Sequence, residues 1–413
     1  MKHLIQDLWT LTQRPVGPLV DHLEPFANHL LEQGYCRRYI GAQIRVAAYF
    51  SRWLQSQSVS ATDVTQALAE RYLQGNVHRH SDAIKPGEVA TLRRLIHFLQ
   101  HKGIAPPTNH SVERTPIQQM VHLFGDYLLD DRGLSRKTFI QYGPFIEDFL
   151  TKCFGDRSIN LAALSGTDII DFIHHQSTHL STPRTKVATN ALRAFLRYAV
   201  ARGDITVDLV AAVPSIAAWS MTGIPRAISQ DHIQAVLAHC LRDTPIGRRD
   251  YAILMLLVHL GLRSGEIVSL TLDSIDWEGG SITVGGKGDQ RACLPLPTEV
   301  GEALADYLRH GRPACQYRAL FLRALAPIRG LGGQQTVGTI VNAAVRRAGV
   351  DTPTRGAHQF RHALATQMLR QGASLTEIGS LLRHQHPKTT NIYAKVDIQA
   401  LRSICMAWPG GAQ

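Results

Sequence analysis

HQFRHALATQMLRQGASLTEIGSLLRHQHPKTTNIYAKV, residues 358–396, is the stretch on which the reading of this chain turns. His358 and Arg361 stand three apart, so on a helix they share one face. Tyr393 follows His384 by nine residues, across a Pro387 that must interrupt any helix between them. His358 and His362, at i and i+4, could be a metal pair but read more readily as ordinary helix histidines. Position 359 is Gln rather than Glu, so the zinc-protease motif is absent, and no third ligand stands at a recognisable spacing.

Working outward, Arg263 stands in GLRSGE (261–266) and Lys287 in GGKGDQR (285–291). The order Arg263, Lys287, His358, Arg361, His384, Tyr393 suits attack on a phosphodiester without a metal. Phosphoryl transfer builds negative charge on non-bridging oxygens, so such a site needs several fixed cations around one phosphate. Arginine serves best, because its planar fork donates paired hydrogen bonds and stays charged. A lysine at a glycine-rich hairpin tip can reach a DNA groove and protonate a leaving oxygen. A phenol, with a reference pKa of about 10, must lose its proton to attack and gains from surrounding positive charge. Taken singly, each residue has a plainer reading: a solvated charge at a helix end, a surface lysine, a core aromatic. The ordered set is what argues for a site.

The charge balance agrees. Lys and Arg outnumber Asp and Glu by 44 to 33, a formal charge of +11, as expected for a partner of phosphate backbones or anionic membranes. The apolar run Tyr251 to Leu262 is broken by His259 and falls well short of the roughly 20 residues that cross a bilayer, so no span is expected. The N-terminus, MKHLIQDLWT, lacks an apolar core and a cleavage site, which predicts a cytoplasmic protein. Six cysteines, at 36, 153, 240, 293, 315 and 405, form no CxxC pair and predict reduced thiols.

A chain of 413 residues exceeds one comfortable core, and its first half reads as a duplicated small helical domain. FANHLLEQGY (26–35) closing with LRRLIHFLQHKG (92–103) is echoed by FGDYLLDDRG (124–133) closing with LRAFLRYAVARG (192–203). The opening phenylalanines lie 98 residues apart and the closing glycines 100 apart. The expected middle helices are Ile44 to Leu54 and Phe139 to Leu150, although any two four-helix segments look broadly alike. IAPPTNHSVERTP (104–116) and VPSIAAWSMTGIPRAIS (213–229) read as linkers. Beyond them, Ser229 caps a helix from about Asp231, Arg248 to Leu260 forms a buried helix stopped by Gly261, and SITV (281–284) and RACLPLP (291–297) form a hairpin. From about Val337 the chain is helical. The expected fold is mainly α (α+β), with tandem small helical domains at 1–110 and 111–212, a linker at 213–228, and a mostly helical domain at 229–413 with a small antiparallel sheet.

The C-terminal half, roughly 225–400, resembles the catalytic domain of the tyrosine recombinase, or phage integrase, family. GLRSGEIVSL resembles that family's first arginine box, with Glu266 in the supporting acidic position, and residues 358–396 resemble its second. The family signature of Arg, Lys, His-x-x-Arg, His or Trp, then Tyr is filled by Arg263, Lys287, His358, Arg361, His384 and Tyr393. Arg383 departs from it, standing where the family usually has glycine, and is read as a charge that contacts DNA or, preferably, solvent or backbone. The resemblance implies that Tyr393 attacks a scissile phosphate to leave a 3′-phosphotyrosine and a free 5′ hydroxyl. Arg263, Arg361 and His384 then hold the non-bridging oxygens, Lys287 is the general acid, and His358 helps manage the tyrosine proton. No metal, ATP or other cofactor is implied. The second repeat resembles the family's core-binding domain, with Arg136, Lys137, Arg184, Lys186 and Arg193 as phosphate contacts or as a merely solvated basic face. The implied partners are double-stranded DNA and further subunits, as a homo-tetramer or an assembly with related recombinases on two sites. LRSICMAW (401–408) is suited to docking on a neighbour, and the location implied is the nucleoid. The rival expectations are a type IB topoisomerase-like activity and a DNA-binding regulator that has lost catalysis. The paired helical domains and the short His384 to Tyr393 gap argue against the first, and the filled signature argues against the second.

Overall fold

The computed structural model describes residues 15–80, 86–107, 114–155, 157–217, 227–286, 291–352, 354, 356–384 and 386–396. Lys287, the hairpin tip around it and LRSICMAW lie outside the described residues. Chain contacts divide the molecule into two compact units, Asn109–Thr222 and a larger one made of Met1–Thr108 with Gly223–Gln413.

The two repeats share one order of elements. The first runs α1 (Val20–Glu32), α2 (Arg37–Ser56), a 3₁₀ turn (Ala61–Asp63), α3 (Gln66–His80) and α4 (Pro86–His101). The second runs α5 (Pro116–Asp126), a π turn (Tyr127–Asp131), α6 (Arg136–Phe154), a 3₁₀ turn (Leu161–Ala163), α7 (Gly166–His179) and α8 (Thr182–Ala201). Local chemistry sets the starts. Thr115 and Gln118 form a reciprocal cap before α5, as Ser165 and Asp168 do before α7, satisfying amides that a helix start leaves free. Phe26 and Phe124, which open the two sequence echoes, are both fully buried, each in its own core.

The C-terminal half is built round α10 (Pro245–Leu260). Thr244 caps it, Pro245 occupies its first turn, and Ala252, Ile253, Leu254, Leu256 and Leu257 are fully buried, so the helix is apolar nearly all round. Each such aliphatic chain contributes roughly 1.5–3 kcal/mol of burial. Around it lie α9 (Gln230–Ala238), capped by Ser229, α11 (Ser264–Ser269), α12 (Thr298–His310), α13 (Gln334–Arg347), α14 (His358–Arg370), α15 (Leu375–Leu381) and α16 (Pro387–Thr390). The sheet is antiparallel in the order β1 (Ile275–Asp276), β2 (Ser281–Gly285), β3 (Arg291–Pro295). Thr283 pairs with Cys293 and Val284 with Ala292, the hairpin anticipated from SITV and RACLPLP. Strand β1 and helix α12 go beyond the sequence expectation. α12 buries Val300, Ala303, Leu304 and Tyr307, an i, i+3, i+4, i+7 stripe.

Within the larger unit, the first repeat meets the C-terminal half through one loop. The Ile328 N–H donates to Gln33 O at 2.8 Å, and Ala326 packs on the repeat's core. Gly34, at φ 84°, is required twice over, because a Cβ there would lie 2.4 Å from the Ile328 side chain.

Candidate active site

Gly261 ends α10 in the left-handed conformation, φ 56°, which throws the chain sharply into GLRSGE. A Cβ at this position would crowd Leu382 at 2.9 Å and Leu364 at 3.0 Å. Two residues on, Arg263 caps α11. Its backbone N–H donates to Glu266 Oε2 at 2.8 Å and its guanidinium Nη1 to Oε1 at 2.7 Å. Glu266 is only 5% exposed. Burial alone would push its carboxyl up, but the Arg263 backbone N–H and the Arg383 and Arg263 guanidiniums outweigh that and hold it below the usual carboxylate range.

Arg361 lies in the first turn of α14 with 4% of its surface exposed, and its Nη1 donates to Gly261 O at 2.6 Å. The turn that closes α15 then serves three guanidiniums with three successive carbonyls. Leu381 O accepts from Arg383 Nη1 at 2.8 Å, Leu382 O from Arg361 Nη2, and Arg383 O from Arg263 Nη2 at 3.3 Å. A helix end leaves its last carbonyls free and partly negative, and here arginines take them up. Arg361 is lowered to about 10 by burial first and by Arg263 and Arg383 second, so it remains charged at neutral pH. Arg263, whose side chain is 38% exposed, keeps the most open face of the three.

His384 follows the same turn, with Nδ1 at 2.8 Å from Thr390 Oγ1. Its imidazole is lowered to about 4, by burial first and then by the charges of Arg361, Arg263 and Arg383, so it is neutral at pH 7. Where the Thr390 hydroxyl is the donor in that contact, the neutral ring carries its proton on Nε2. His358, surface-exposed on α14, is likewise held below its ordinary value, by partial desolvation first and by the Arg361 and Arg263 charges second.

Tyr393 sits in a 3₁₀ segment (Asn391–Val396) and is 1% exposed, clustered with Ala365, Ile378 and Leu382. Its hydroxyl lies 3.0 Å from His362 Nδ1. Burial, then the charges of His358 and Arg361, lower the His362 imidazole, while burial raises the phenol and Arg361 partly opposes it. Both groups are therefore neutral, and one hydrogen bond joins the phenol oxygen to Nδ1. His362 is the member of the site that sequence reasoning missed. Its i, i+4 spacing from His358 points to one helix face, and the partner the structure gives it is the Tyr393 phenol.

Of the expected residues, Arg263, Glu266, His358, Arg361, His384 and Tyr393 thus gather around α14 and the 381–384 turn. Of the readings open for Arg383, solvent exposure is the one the structure removes: the side chain is 12% exposed, Nη1 takes the backbone contact to Leu381 O, and Nη2 donates to Glu266 Oε2 at 2.9 Å. Among the helical-repeat candidates, Arg136, Lys137, Arg184 and Lys186 are exposed, with Arg184 stacked over Phe145 at 4.9 Å. Arg193 is half-buried and donates from Nη2 to Val213 O and Pro214 O at 3.0 and 3.1 Å, a structural tie that leaves it less free than its neighbours. Among the described residues, no group of three or more His, Cys, Asp or Glu is arranged to hold a metal ion, and no helix is long and apolar enough to cross a membrane.

Two largely buried guanidiniums and a more open third thus stand near a buried phenol. Residues 226–400 match the model of the phage integrase family. The whole chain is 46% identical over 414 residues to the putative integrase/recombinase y4rA of Sinorhizobium fredii, with full coverage of both. It is 28% identical to the tyrosine recombinase XerD of Listeria monocytogenes, over 70% of this chain and 97% of that protein. Among solved structures, the XerH site-specific recombinase bound to palindromic difH substrate shares the fold, with a TM-score of 0.53 at 16% identity, covering 88% of this chain and 94% of that one. This chain belongs to the phage integrase family, the tyrosine-type site-specific recombinases, enzymes that break and rejoin DNA strands.

Proposed function

We propose that Tyr393 is the nucleophile with which this protein cuts and rejoins duplex DNA. Its hydroxyl oxygen bonds to the scissile phosphorus as the bond to the 5′ oxygen breaks, giving a 3′-phosphotyrosine and a 5′ hydroxyl. Arg263, Arg361 and the His384 Nε2–H hold the non-bridging oxygens. Lys287 protonates the leaving oxygen, and His358 takes the phenol proton once Tyr393 has moved out to the phosphate. The ester conserves the energy of the broken bond, so rejoining to another 5′ hydroxyl reverses the step and draws on neither ATP nor a metal ion.

The observation that carries this reading is the turn at 381–384, which fixes Arg263, Arg361 and His384 within one network beside the helix that also holds the phenol. Positioned donors of this kind act most strongly where transition-state charge develops. Residues 1–110, 111–212 and 229–413 act as three domains in this reading. The middle one grips the backbone through Arg136, Lys137, Arg184 and Lys186, with Arg193 in a lesser role. Such binding weakens steeply with salt through counterion release. Several copies, as a tetramer or with related recombinases, work on two DNA sites at the nucleoid.

A nicked suicide duplex that loses its 5′ hydroxyl fragment tests the chemistry. The protein is expected to trap a covalent adduct in the presence of EDTA, and Tyr393→Phe to trap none. An adduct formed by the Phe variant would identify another nucleophile.

A further inference from the structure

Arg383 stands where the backbone disfavours it. Its φ of 55° lies in the left-handed region, which is costly for a residue with a Cβ and free for glycine. Strain kept at a functional site points to a role for the side chain. That side chain folds back into the protein, gives Nη1 to Leu381 O and Nη2 to Glu266 Oε2, and leaves Nε buried without a partner.

Glu266 explains the arrangement. This one carboxylate accepts from Arg263 through both its oxygens, so by itself it would cancel one of the two charges that Arg263 and Arg361 offer a phosphate. Arg383, on Oε2 from a different segment, restores that charge while its backbone carbonyl holds the Arg263 guanidinium. Nearby charges count for more in such a water-poor site than they would in solvent.

We propose that Arg383 is a positioning residue that neutralises Glu266, so that the charges of Arg263 and Arg361 act undiminished on the scissile phosphodiester. The inference rests on the phosphoryl-transfer reading of the site. It predicts a function for the side chain that is separable from the turn, since glycine adopts this backbone without strain.

Arg383→Gly and Arg383→Lys are compared with the natural full-length protein on two suicide duplexes, one with an ordinary scissile phosphodiester and one with an uncharged methylphosphonate there. Thermal unfolding is measured alongside. Arg383→Gly is expected to melt no lower than the natural protein, yet to form adduct roughly tenfold more slowly on the phosphodiester, a smaller loss than that of a direct oxyanion donor. The deficit should shrink to within about threefold on the neutral linkage, where there is little charge to balance. Arg383→Lys should recover most of the rate. A Gly variant as fast as the natural protein on the phosphodiester overturns the proposal, and so does equal slowing on both linkages, which would mean a purely structural role. If the natural protein forms no Tyr393 adduct on either duplex, the phosphoryl-transfer reading itself fails and this inference falls with it.

Discussion

The two halves of the site are built in opposite ways. On the cation side, Arg263, Arg361 and Arg383 are each tied at two or more points, to Glu266 or to the carbonyls of residues 261 and 381–383. On the side of the proposed nucleophile, the Tyr393 hydroxyl has His362 as its hydrogen-bond partner, and the ring is held by apolar contact in a short 3₁₀ segment. The charges are preorganised, which suits groups that must not reorient when the transition state forms. The phenol is buried at 1% exposure, so the proposed attack requires it to leave its pocket.

Substitutions on the two sides should therefore behave differently. Arg361→Ala is expected to be the most damaging, lowering the rate of adduct formation roughly 10²–10³-fold and stability by roughly 2–4 kcal/mol. It removes donors buried against Gly261 and Leu382 and leaves their carbonyls unpaired. Single-turnover cleavage and urea unfolding measure the two losses, and an undiminished rate would remove Arg361 from the phosphate pocket. Arg263→Ala should cost a similar factor in rate but less than about 1.5 kcal/mol in stability, because its side chain is partly solvated and Glu266 keeps Arg383. Equal stability losses for the two variants would mean that the arginines are not anchored unequally, as their burial implies.

The histidines bind the halves together through pH. His358, His362 and His384 are all held neutral in the fold, His384 down to about 4 against an ordinary 6.5. Between those values the unfolded chain binds protons that the folded protein refuses, so stability is fully present above about pH 6.5 and is lost as pH falls towards 4. The melting temperature should drop from pH 7 to pH 5, with a shallower slope in His384→Gln. A flat profile would contradict the lowered pKa of these imidazoles.

The smallest effect belongs to storage. His362→Phe leaves the phenol hydroxyl without its partner, a loss of roughly 0.5–1.5 kcal/mol. Since that contact exists only before attack, adduct formation should stay equal or rise by up to about tenfold. If cleavage instead falls as far as in the arginine variants, His362 takes part in the reaction itself.

Much of this was legible in the chain, and what was hidden has physical causes. Helix α10 announced itself by an apolar run from Tyr251, interrupted by His259 and stopped at Gly261, and the β2–β3 hairpin by two apolar runs flanking a glycine-rich turn. The signature residues declared a site by type and order. Helix α12 carried a regular stripe but followed the hairpin directly, without a turn cluster to set it apart. The His362 role depends on where the segment after Pro387 returns, which no helical spacing within α14 encodes. Arg383 was open between DNA, solvent and backbone contact because sequence says nothing of its backbone conformation or of its pairing with Glu266, 117 positions away. The contact of Ile328 with Gln33 and Gly34 joins residues nearly 300 positions apart and leaves no local trace.

The central claim is that the stored phenol of Tyr393 becomes the covalent link to DNA. Trypsin digestion of the trapped adduct, with mass spectrometry of the products, tests it most directly. The account predicts nucleotide mass on the peptide TTNIYAK (389–395), at Tyr393. Nucleotide attached to any other peptide, with this one recovered unmodified, would contradict it.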